Sequence, residues 1–135
     1  MRNKVVLRTI AAVLVAVAVM TMSVGCGEAA KTRLKLERGL VGGGVWQEEE
    51  ASVEYVLSML DTEYVGLDRG DPAAEEVKAS ASVVLTVYEG QREVATVYVT
   101  DGCRVLVEES DGGLWYAMTP GVDTVLICAA FDTGR

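Results

Sequence analysis

Between Ala81 and Met118 the chain alternates short β-branched runs with turn signals, and this pattern leaves few folds open. ASVVLTVYE and EVATVYV flank Gly90, the pair Asp101-Gly102 signals a tight hairpin into CRVLVEE, and Asp111-Gly112-Gly113 marks a reversal before LWYAM. Thr119-Pro120-Gly121 predicts one more turn, into VDTVLICAAF as a last strand. The expectation is an antiparallel meander of four or five strands, with KTRLKLERG as a further edge strand over residues 32–38. One clear helix precedes the meander: in QEEEASVEYVLSML, Val53, Val56, Leu57 and Leu60 fall at i, i+3, i+4 and i+7 and make a single apolar stripe. The class is therefore α+β, one amphipathic helix packed on one face of the sheet.

The remaining segments read as connections. Three successive glycines in GLVGGGVW, residues 39–46, break regular structure and predict a flexible link. Residues 61–80 contain Gly66, Gly70 and Asp71-Pro72 and predict a long loop with one weak helical turn near Pro72–Val77. Val94, Thr96 and Tyr98 alternate with Ala95, Val97 and Val99, so both faces of that strand are largely apolar. One face takes the helix, and the other needs the 61–80 segment, a partner or a second copy of the chain.

At the front, Arg2, Lys4 and Arg8 precede sixteen uncharged residues, Thr9 to Val24, a run shorter than the roughly 20 residues a spanning helix needs. Small residues Ser23 and Gly25 then lead to Cys26. This stretch resembles the lipobox of bacterial lipoproteins, and the resemblance implies a signal peptide over residues 1–25, cleavage before Cys26 and a diacylglyceryl thioether on its sulfur. An ordinary secretory cut near Ala30 and an uncleaved anchor are the alternatives. All three place residues 31–135 outside the cytoplasm, and the first makes residues 26–31 a short tether to a single domain over 32–135. The order of one helix, an Asp-Pro loop and a meander with late aromatics is similar to small Gram-positive lipoprotein domains of unknown function.

Loss of residues 1–25 removes three basic residues and no acid, which moves the formal charge from −8 to −11. Nucleic acid is thereby an implausible partner, since phosphate affinity comes from clustered Lys and Arg. The partners expected are membrane lipid, through an acylated Cys26, and an envelope protein or small-molecule ligand. Lys31, Arg33 and Lys35 form one basic face of the first strand, suited to lipid headgroups or simply to water. Trp46, Trp115 and Tyr116 are candidate ligand-stacking aromatics or core residues. Cys103 and Cys128 would pair in an oxidising space, but in a strict meander they sit at opposite ends of their strands, so two buried, unbonded thiols are expected.

The chain has no histidine, which removes the usual general base and every Ser-His or Cys-His arrangement. Lys78 lacks S-x-x-K spacing to Ser80 or Ser82. Glu48, Glu49 and Glu50 point about 100° apart on a helix and do not converge on one metal ion, and Asp68 and Asp71 do not fit a calcium loop. No metal or cofactor is expected. The reading is a membrane-anchored, extracytoplasmic, non-catalytic binding or interaction module; the alternative is a hydrolase using carboxylates alone on cell-envelope material.

Overall fold

A computed structural model describes residues 31–40 and 42–131, so the expected signal peptide, Cys26 and most of the tether lie outside the described residues. The fold is α+β: the described residues form seven antiparallel strands and three helices. In chain order these are β1 (Thr32–Arg38), β2 (Val45–Gln47), α1 (Glu50–Met59), β3 (Val65–Leu67), α2 (Pro72–Ser80), β4 (Val83–Glu89), β5 (Arg92–Val99), β6 (Arg104–Glu109), β7 (Leu114–Met118) and α3 (Thr124–Ala130).

The sheet runs in the order β2-β1-β4-β5-β6-β7-β3. Strands β4 to β7 are the expected meander, but two short strands cap its outer sides and change the role of the first strand. β1 lies inside the sheet, pairing with β2 through Lys35↔Trp46 and with β4 through Arg33↔Tyr88; the edges are the three-residue strands β2 and β3. Short edges offer little unpaired backbone to another chain.

This order dictates where the helices go. β2 and β3 are at opposite edges, so the connection holding α1 must cross the whole sheet on one face. β3 and β4 are also far apart, so α2 travels back across the other face. Val53, Val56, Leu57 and Leu60 of the α1 segment bury against Leu34, Leu36, Leu85, Val97 and Val107, as the apolar stripe requires. α3 joins them through Ile127, Ala130 and Phe131. On the opposite face Ala74 and Val77 of α2 pack on Leu106 and Leu114, with Leu67, Tyr98 and Tyr116 around them. The molecule thus has three layers, and the second apolar face of β5 is met by the 61–80 segment.

Two expectations are corrected. Residues 61–80 are not a long loop: they hold β3 and a nine-residue helix, started by Pro72 and by Asp71, whose side chain accepts a hydrogen bond from Ala73 N at 2.9 Å. VDTVLICAAF is not a fifth meander strand. Asp123 accepts from Val125 N at 2.9 Å and Leu126 N at 3.2 Å, and this N-cap turns the β-branched run into α3. The glycines of residues 42–44 lie in the connection between β1 and β2, where Gly44 N donates to Leu36 O at 2.7 Å. A Cβ at Gly43 would overlap the Glu37 carbonyl oxygen, so that position requires glycine, and φ +78 at Gly44 favours it.

Cys103 and Cys128 are free thiols, half-buried rather than fully buried, and Cys128 stands on α3 rather than on a strand. Cys103 Sγ faces the Val122 carbonyl at 3.6 Å, whereas Cys128 Sγ lies against Gly39.

Candidate functional site

Strict alternation along β1 sends Thr32, Leu34 and Leu36 into the main core and Arg33 and Lys35 to the opposite face. Lys31, exposed just ahead of the strand, accepts a hydrogen bond from Gly90 N at 2.8 Å through its carbonyl. The β1–β2 hairpin places Trp46 directly across from Lys35, and β4 places Tyr88 across from Arg33. Four side chains from three neighbouring strands therefore meet on one face.

Their geometry is close. The Trp46 and Tyr88 ring centroids are 5.0 Å apart with planes at 48°. The Arg33 guanidinium lies 4.3 Å from the Trp46 centroid and 5.5 Å from that of Tyr88, and the Lys35 ammonium lies 5.5 Å from Trp46. Such cation–ring contacts contribute about 0.5–1 kcal/mol each at exposed positions. Arg33 Nε also donates to the Gly90 carbonyl at 2.8 Å, which fixes the guanidinium at the β4–β5 turn. Two carboxylates stand beside the cations: Glu48 at 3.1 Å from Arg33 and Glu37 at 3.8 Å from Lys35. Glu37 in turn accepts from the Thr86 hydroxyl at 2.7 Å.

The cluster beneath α2 draws on β3, β5, β6 and β7, and none of its members is on β1, β2 or β4. The basic-aromatic group occupies the half of the face that this cluster leaves out, and Trp46 is 38 % exposed there. Ring faces, a fork of N–H donors and a mobile ammonium are the groups of a recognition surface.

The other candidate aromatics are elsewhere. Trp115 sits on the opposite face, half-buried against the main core, with its indole N–H donating to Glu109 at 3.1 Å. Tyr116 is part of the cluster under α2. The three candidate aromatics thus form no common platform; Trp46 alone joins the basic strand. Tyr88 is the member that sequence reasoning missed, because only the β1–β4 register reveals it.

The glutamates of residues 48–50 diverge: Glu48 reaches Arg33, Glu49 accepts from the Ser52 hydroxyl at 2.8 Å, and Glu50 stands in the first turn of α1. Among the described residues no three His, Cys, Asp or Glu side chains gather as metal ligands, and no helix is long and apolar enough to cross a membrane. On the α2 side, Tyr98 is held above its ordinary pKa, first by burial and then by Glu108, whose carboxylate accepts from its hydroxyl at 3.4 Å; Lys78 works in the opposite direction. No family model, curated protein or solved structure matches the chain.

Proposed function

We propose that the chain is a bacterial lipoprotein: a signal peptide over residues 1–25, a lipid on Cys26, a tether of residues 26–31 and one extracytoplasmic domain that binds rather than catalyses. The contact surface in this reading is Arg33, Lys35, Trp46 and Tyr88. One observation carries it: two cations stacked on two aromatic rings lie on a sheet face where, among the described residues, no helix covers them, close to Lys31 at the start of β1. A buried structural role would hide these rings, and a plain solvated strand would not assemble them. Two acyl chains on Cys26 would hold the domain permanently at the membrane, since each buried methylene contributes about 0.8 kcal/mol.

The anchor is tested by growing cells with radiolabelled palmitate. The wild-type chain is expected to take up label and the Cys26→Ala variant to take up none. Equal labelling of both, or no label in either, removes the lipoprotein reading.

A further inference from the structure

We infer that the Arg33–Lys35–Trp46–Tyr88 face docks on the anionic headgroup layer of the bilayer to which Cys26 is attached. The inference rests on the lipoprotein reading and names the occupant of the surface described there.

Reach is the first argument. From Cys26 to Lys31 the chain spans at most about 18 Å, so a lipidated Cys26 keeps the start of β1 within about 18 Å of the bilayer surface. Arg33 and Lys35 lie only two and four residues further on, at about 3.3 Å per residue, with Trp46 paired to Lys35. The patch cannot be far from lipid unless the domain turns away from its own tether.

Charge decides which way it turns. Half of the Lys and Arg side chains between residues 31 and 131 fall within residues 31–38, in a protein of net charge −8. An anionic surface therefore attracts the β1 side and repels the acidic remainder. Each basic residue near such a surface strengthens binding about fivefold. Glu37 and Glu48 offset part of that attraction, and here the rings matter. Tryptophan and tyrosine favour the headgroup level, where an apolar ring and a polar edge are satisfied together.

Shape fits the same pose. α2 stands on the β5–β7 half of this face and adds a layer about 10 Å deep. The sheet consequently meets the bilayer at a slant, with β2 and β1 lowest and α2 raised. Glu75 and Glu76, exposed on α2, belong to the raised side.

The two tryptophans provide the test, because they lie on opposite faces. The full lipidated chain is reconstituted into vesicles of phosphatidylglycerol and phosphatidylcholine whose acyl chains carry bromine near the headgroup end. In the Trp115→Phe background Trp46 is the sole tryptophan, and its fluorescence is expected to fall about twofold or more relative to unbrominated vesicles. In Trp46→Phe, emission from Trp115 is expected to stay unchanged. Lys35→Glu, added to Trp115→Phe, is expected to lose most of the quenching with palmitate incorporation intact. Should Trp115→Phe lower the melting temperature, the wild-type chain gives the same readout as a quenchable fraction of its total emission.

Palmitate incorporated with Trp46 quenched no more than Trp115 overturns the docking and leaves the anchor standing. Quenching of Trp46 in a chain that incorporates no palmitate supports the docking and removes the anchor. Quenching unchanged when phosphatidylglycerol is replaced by neutral lipid overturns the anionic part of the inference.

Discussion

Tyr64 is fully buried between α1 and the sheet, and its hydroxyl donates to the Leu60 carbonyl at 2.7 Å. Burial, and then the charge of Asp61, raise its pKa far above the ordinary 10.0. The protonated phenol is thus the form the fold accepts. Below pH 10 both folded and unfolded chains keep the proton and the contribution is complete; above it the unfolded chain loses protons that the folded one retains, so stability falls as pH rises. Tyr64→Phe removes the titrating group, at a cost of about 1 kcal/mol near neutrality for the lost hydrogen bond. Urea midpoints between pH 8 and 11 are expected to fall less steeply for the variant than for the wild type, and parallel slopes would contradict this. The other informative residue is Cys103, at φ 66. The Asp101-Gly102 signal locates a turn correctly, but Cys103 N donates to Thr100 O at 3.1 Å and Thr100 N to Arg104 O at 3.0 Å. The hairpin is therefore one residue longer than the tight form, and the left-handed position falls on a cysteine, where sequence alone would look for glycine.

Among the elements, α2 starts on the Asp71 cap and buries little apolar surface. Its buried residues are Ala74 and Val77, and the Asp71 cap and the ion pairs Lys78–Glu108 at 3.3 Å and Arg104–Glu76 at 3.2 Å add to that small apolar contact. Asp71→Ala is expected to lower stability by about 1 kcal/mol in urea melts and to speed amide exchange in residues 72–80 before the rest of the domain. An unchanged exchange pattern would show that α2 holds without its cap. The same thinness explains why α2 is hard to read in the sequence: two small apolar residues make no periodic stripe, and only Asp71-Pro72 announces a start. α3 misleads for the opposite reason, because VLICAA has strand composition and only its cap and its place on the main core make it helical. α1 and the four meander strands are legible because each buries a full periodic face. β3 offers no signal of its own, being three residues with a glycine in the middle. The candidate site is half-legible: the basic strand shows in the alternation of β1, whereas Trp46 and Tyr88 reach it only through strand pairings that the sequence does not specify.

For the whole molecule, the chain passes over one face of the sheet in α1 and returns over the other in α2, so each layer is tied to both edges. That path leaves the β1–β2–β4 half of one face to the basic-aromatic group. The strand order also sets a timetable. β4 to β7 are joined by short turns and can assemble from local contacts, whereas β1 must wait for β4 and β3 must wait for β7. In pulse-labelling hydrogen exchange during refolding, amides of β4–β7 are expected to gain protection before those of β1 and β3; simultaneous protection would argue for one concerted step. A polypeptide delivered start-first therefore keeps Leu34 and Leu36 unmated while half the domain has yet to arrive. If the chain is exported as proposed, whatever carries it has to shield that early grease until the later strands come to claim it.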